Sequence, residues 1–111
     1  MSQRDSKLYL EDIIDSSHAI KEFVKGMNFE EFIQDRKTYS ATIREYIVIG
    51  EAVSALIGSL EEQFPKYPWR MVKDFRNFVI HEYFGVDAKI VWDLTHLELD
   101  ELVANIKNIN L

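Results

Sequence analysis

The sequence predicts an all-α fold: an up-and-down bundle of four main helices with short extra helices, forming a single domain over residues 1–111. Three observations carry that prediction. Apolar residues recur at spacings of three and four along almost the whole chain, the period of a helix with one buried face. No stretch alternates apolar and polar residues as a half-buried strand does. Only 4 Gly and 2 Pro are present, so connections must be few and short. With 111 residues, 47% of them apolar, the chain is long enough to close one core.

The first helix is expected from about Asp5 to Lys25. Leu10, Ile13, Ile14, Ser17, Ile20 and Val24 recur along one face, Asp5 is a candidate N-cap and Gly26 a stop. Asn28 followed three residues later by Glu31 resembles a capping box and opens a short helix through Phe29, Phe32 and Ile33. The third helix carries the longest pattern. Tyr39, Ile43, Tyr46, Gly50, Val53, Ile57, Leu60 and Phe64 form one seam suited to nearly antiparallel packing. Gly50 sits in mid-seam, where glycine costs about 1 kcal/mol of helix propensity, so close approach by a neighbouring helix is expected there.

Pro65 and Pro68 end this helix and start the fourth, which is expected from Pro68 to Phe84, with Gly85 as its stop. Asp87 is a candidate cap for a fifth helix through Trp92. A sixth apolar-periodic segment follows on Leu99, Leu102, Val103, Ile106 and Ile109. The stretch between them, "DLTHLELD", reads as either a kink or a short loop.

Several function classes are excluded by composition. There is no cysteine, so disulfides, thiolate metal sites and cysteine nucleophiles are absent. The polar, mixed-charge first residues are not a signal peptide, and no apolar run approaches the roughly 20 residues of a bilayer span. An intracellular, cytoplasmic location is expected. The net charge of −6 argues against a nonspecific nucleic-acid coat, which needs a basic surface. Yet Lys66, Arg70, Lys73 and Arg76 are concentrated on the way into the stretch "RNFVIHEY" at Arg76 to Tyr83.

On a helical wheel at about 100° per residue, with Arg76 at zero, Met71, Val72, Phe75, Phe78 and Val79 fall between roughly 200° and 320°. That arc is the expected core face. Arg70, Lys73, Arg76, Asn77 and His81 share the other side, with Tyr83 at its edge and two apolar residues, Trp69 and Ile80, intruding on it. A polar arc is by default a solvated face, and a His or Tyr near a helix end is by default a capping or amphipathic-edge residue. Trp69 and Ile80 suggest a partner or dimer seam instead. Glu51 lies one position off the third-helix seam. His18 and His96 read as surface residues and Trp92 as a core anchor.

"RNFVIHEY" resembles the Arg-x4-His-x-Tyr signature of HepT-like proteins, a branch of the HEPN superfamily of ribonuclease toxins. The resemblance extends in order to "IGEA" at Ile49 to Ala52, "YPW" at Tyr67 to Trp69, "FGVD" at Phe84 to Asp87 and "VWDL" at Val91 to Leu94. It departs at "LDEL", Leu99 to Leu102, where relatives commonly carry Leu-Pro. The resemblance implies a metal-independent endoribonuclease, the toxin of a type VII toxin–antitoxin system, that cleaves by attack of the ribose 2′-OH and needs no cofactor. His81 would serve as acid or base and Arg76 would hold the phosphoryl oxygens, as catalytic residues. Asn77 and Tyr83 would support them, and Arg70 and Lys73 would bind RNA; no metal ligand set is expected.

The resemblance also implies a homodimer through the motif helix, or a higher oligomer of dimers, and a nucleotidyltransferase antitoxin that transfers AMP to Tyr83. Two other functions compete with it. One is a non-catalytic helical substrate-binding partner of a nucleotidyltransferase, and the other is a plain interaction bundle. An intact Arg76, His81 and Tyr83 favours the ribonuclease.

Overall fold

A computed structural model describes residues 3–81 and 87–110, with side chains over 5–76 and 87–110. All six of its elements are helices: α1 (Gln3–Val24), α2 (Phe29–Gln34), α3 (Arg36–Gln63), α4 (Trp69–His81), α5 (Ala88–Leu97) and α6 (Leu99–Lys107). Among the described residues there is no strand. No helix there is long and apolar enough to cross a membrane.

The ends of the helices follow their local chemistry. α1 begins at Gln3, so Asp5 lies inside its first turn rather than capping it, where a carboxylate still favours the positive end of the helix dipole. Gly26, at φ +77°, takes the left-handed conformation that ends the helix, and the Met27 N–H closes on the Val24 carbonyl. The capping box forms in full: the Glu31 N–H donates to Asn28 Oδ1 at 2.8 Å and the Asn28 N–H to Glu31 Oε1 at 3.0 Å. Asp35 then caps α3 by accepting from the Thr38 N–H and hydroxyl, and these bonds hold its carboxyl below the usual carboxylate range.

The core lies mainly on α3. Its seam is buried at Ile43, Tyr46, Gly50, Val53 and Leu60, and Thr42, Ile49, Ala52 and Leu56 widen the buried surface. The main partners of α3 are α1, which buries Ile13, Ile20 and Val24, and α4, which buries Trp69. At one end, Phe32 of α2 is fully buried, and its ring packs against Tyr39 and Trp92. Trp92 also meets Phe29 edge-on, so it anchors the core as its composition suggests.

α5 runs past Trp92 to Leu97, and α6 restarts at Leu99 after the single residue Glu98. "DLTHLELD" is thus a one-residue break between two helices, not a loop. Thr95, buried within it, donates to the Val91 carbonyl at 2.9 Å, so the 2.6 Å contact between Thr95 Oγ1 and the Tyr46 hydroxyl must have Tyr46 as donor. That bond ties α5 to α3, and burial pushes the Tyr46 phenol well above its ordinary pKa.

Candidate active site

α4 turns only part of its expected face to the core: Val72 and Phe75 pack against it, as their wheel positions predict. Met71, assigned to the core arc by its wheel position, is 69% exposed, while Trp69, assigned to the polar side, is 1% exposed. The Trp69 indole donates to the Phe64 carbonyl at 3.0 Å, and its ring lies 4.5 Å from that of Tyr67. Trp69 is thus a core residue of the single chain and gives no support to a dimer seam. Trp69, Val72, Lys73 and Arg76 share one stripe at i, i+3, i+4 and i+7, buried at Trp69 and half-buried at the other three. Phe75 flanks it and packs edge-on against Tyr46. Phe78, Val79 and Ile80, also part of that wheel argument, have side chains outside the described residues.

Arg76 therefore sits within the α3–α4 contact, and Gly50 is what lets it do so. A Cβ on Gly50 would lie 2.2 Å from Arg76 Cβ and 2.9 Å from Arg76 Cγ. The absence of a side chain brings the α4 backbone down onto α3 at that point. The guanidinium then reaches the next α3 residue: Arg76 Nη2 donates to Glu51 Oε1 at 2.9 Å, with the Arg76 side chain 32% exposed. Lys73 lies one turn earlier on α4. These two basic residues line a shallow pocket of about 290 Å³ with Glu51, Ser54 and Ala55 of α3. Such a pocket presents two cations and a carboxylate to solvent, the chemistry of a site for a phosphate-bearing ligand.

Arg70 is not part of that pocket. Its Nε and Nη2 chelate the two carboxylate oxygens of Glu61 at 3.1 and 3.0 Å on the exposed surface. Of the sequence-predicted site residues, then, Arg76 and Lys73 come together, and Arg70 is held further along the helix. His81 is the last described residue of α4, and its side chain, that of Asn77 and all of Tyr83 lie outside the described residues. Glu51 is the residue that spacing alone missed, and its only sequence signal was membership of "IGEA". His96 is exposed, as expected, and stacks on Trp92 at 4.0 Å.

A larger cavity of about 360 Å³ opens between α3, α4, α5 and α6 beside Phe75, Ile90 and Leu102. It shares no residue with the basic pocket, and Glu98 is the charged residue among its described lining. Tyr67 stands at its rim. Burial, with a smaller contribution from Glu101 and Glu98, pushes its phenol up to about 12.

The described residues define a class before any comparison, that of small all-helical proteins with a basic pocket between two packed helices. Comparison with known proteins narrows the class. The family model described as "Ribonuclease HepT-like" matches residues 13–109. The chain is 37% identical over 100 residues to "Probable ribonuclease HepT" of Thermococcus cleftensis, covering 90% of this chain and 91% of that one. It is 39% identical over 101 residues to a "Putative RNase" of Caldanaerobacter subterraneus subsp. tengcongensis, covering 91% and 90%. A further "Putative RNase", from Methanocaldococcus jannaschii, is 35% identical over 102 residues, covering 92% and 94%. No solved structure matches the chain. The protein belongs to the HepT-like ribonuclease family.

Proposed function

We propose that this protein is a metal-independent endoribonuclease, the toxin of a type VII toxin–antitoxin system acting in the cytoplasm. The observation that carries the reading is the anchoring of Arg76 on α3, beside Lys73, in a chain of the HepT-like ribonuclease family. In the proposed reaction the ribose 2′-OH attacks the adjacent phosphorus and the 5′-oxygen leaves. The products are a 2′,3′-cyclic phosphate and a 5′-hydroxyl. Arg76 holds the phosphoryl oxygens as charge builds on them, because a guanidinium is matched to that geometry. His81 takes or returns the proton, since an imidazole near neutral pKa serves both directions. Lys73 and Arg70 steer the RNA backbone, and Asn77 and Tyr83 support the site.

A single chain offers one Arg76–His81 pair, so a homodimer that pools two pairs belongs to the proposal. It rests on the family resemblance, now that Trp69 no longer speaks for it. The regulator in this reading is a nucleotidyltransferase antitoxin that moves AMP from ATP to Tyr83. The adduct adds bulk and one negative charge two residues from His81, which opposes entry of an RNA phosphate.

Purified protein incubated with RNA is the test. Cleavage should proceed in EDTA and should fall by 10²–10⁴-fold in His81→Ala, the usual cost of removing a positioned acid–base group. Arg76→Ala should fall comparably with the fold retained. Activity that EDTA abolishes and Mg²⁺ restores would overturn the mechanism. With nucleotidyltransferase and ATP, mass should rise in AMP steps on Tyr83 and cleavage should stop. Modification of Tyr39, Tyr46 or Tyr67 instead would overturn the tyrosine switch.

A further inference from the structure

We infer that Glu51 is a positioning residue that sets where the Arg76 guanidinium stands. The consequence for cleavage rests on the ribonuclease reading above, whereas the positioning itself does not.

Three features of the α3–α4 contact lead to it. First, Gly50 and Glu51 are adjacent on α3 and act on successive parts of one side chain. Gly50 receives the Cβ and Cγ of Arg76 against bare backbone, and Glu51 receives its terminal Nη2 at 2.9 Å. An arginine has four side-chain torsions and loses about 2 kcal/mol of rotamer entropy when fully ordered. Fixing it at the stem and at the tip removes most of that freedom before a ligand arrives.

Second, the pair differs from the other Arg–Glu pair on the same two helices. Arg70 is 65% exposed along its side chain and meets Glu61 across open surface. Arg76 is 32% exposed, and its stem is held within the helix–helix contact. Third, Glu51 lines the same pocket as Arg76 and Lys73, so its carboxylate stands at the site itself.

A carboxylate in that place does two separable things. Its oxygen accepts a hydrogen bond and so fixes the guanidinium. Its charge lowers the attraction of the pocket for an anion. Glutamine keeps the first effect and removes the second, while alanine removes both. Misplacing a catalytic group by about 1 Å can cost on the order of 10²-fold in rate.

The experiment compares Glu51→Ala, Glu51→Gln and Glu61→Ala in steady-state RNA cleavage, together with NMR of the arginine side-chain N–H groups, Arg76 being assigned by Arg76→Lys. Glu51→Ala should lower kcat by about 10- to 100-fold without raising KM. Glu51→Gln should return kcat to within about 3-fold of wild type and lower KM, because the acceptor remains and the charge is gone. Glu61→Ala should leave kcat unchanged. Rotation of the Arg76 guanidinium should be hindered in wild type and Glu51→Gln and averaged in Glu51→Ala.

The inference is overturned if Glu51→Ala keeps wild-type kcat, if Glu51→Gln is as slow as Glu51→Ala, or if the Arg76 guanidinium rotates as freely in wild type as in Glu51→Ala. A wild-type protein that does not cleave RNA sinks the ribonuclease reading instead, and the NMR comparison still decides the positioning.

Discussion

Gly50→Ala isolates the contact on which the site is built. Ordinary carbon–carbon contact is about 3.5–4.0 Å, and the added methyl would begin 2.2 Å from Arg76 Cβ. The helices must therefore separate by about 1.3–1.8 Å at this point if contact is to be ordinary. Arg76 Cβ cannot swing aside as a flexible side-chain end would, because it is fixed to the α4 backbone; Arg76 Cα is itself within 3.4 Å. Overpacking of this kind typically costs 1–3 kcal/mol, and the upper part of that range applies where backbone must move. Against it stands a gain of about 1 kcal/mol from replacing a helical glycine by alanine. The net expectation is a loss of about 1–2 kcal/mol. For a domain of this size that lowers the melting temperature by roughly 4–15 °C.

Gly58→Ala is the matched control. It lies in the same helix, and a Cβ there meets nothing within 4 Å. The same substitution should therefore stabilise by about 0.5–1 kcal/mol. Thermal melts followed by circular dichroism compare the two variants directly. Opposite signs are expected, and RNA cleavage should fall on the order of 10²-fold in Gly50→Ala alone, since Arg76 is carried off its position. If Gly50→Ala melts at or above wild type, the close approach of α3 and α4 is not as described and the reasoning fails.

Tyr67 gives a pH test: its folded pKa is raised from 10 to about 12, so the stability from its neutral form is present below pH 10 and is lost as pH rises from 10 to about 12. Tyr67→Phe should show a shallower alkaline decline than wild type in denaturant titrations across that window, and parallel curves would refute it. Asp35 works in the opposite direction: its folded pKa is lowered below 3.8, so its contribution is present above that value and disappears as pH falls through the folded pKa. Asp35→Ala should melt lower than wild type at pH 7 and converge with it in acid. Tyr46→Phe should cost about 1 kcal/mol in urea unfolding, because the Tyr46 hydroxyl donates to Thr95 in the core; an unchanged midpoint would mean that this bond adds nothing net.

The helices themselves were legible because their signals are local. The capping box at Asn28 and Glu31, the glycine stop at Gly26 and the α3 seam each follow from residues a few positions apart, and each forms as expected. The break at Glu98 was not legible, because a kink and a short loop differ only in whether Thr95 and its neighbours keep helical hydrogen bonds. Tertiary contact settles that, through Thr95 and Tyr46. Glu51 was poorly legible for a related reason. A glutamate one step off a buried seam is the commonest thing on a helix, and its partner lies 25 residues away.

The facing of α4 was legible only in part: Val72 and Phe75 pack on the core as their wheel positions imply, whereas Met71 is exposed and Trp69 buried. An amphipathic helix is ordinarily oriented by turning its apolar residues inward, and on that rule Met71 faces the core and Arg76 faces water. The structure leaves Arg76 half-buried instead, on the stripe that begins at the buried Trp69, seven positions earlier. At Arg76 the rule fails because the α3 surface opposite it is not a packed side chain but the bare backbone of Gly50, followed by the carboxylate of Glu51. A glycine in mid-helix costs stability, and a half-buried guanidinium needs an acceptor. Both features run against folding economy at one point, and both serve to fix one cation within a helix–helix contact. The glycine that marks close approach in the sequence thus marks the point where Arg76 meets α3. Trp69 fixes the start of α4 in the core, and two helical turns, seven residues on, deliver Arg76 to Gly50.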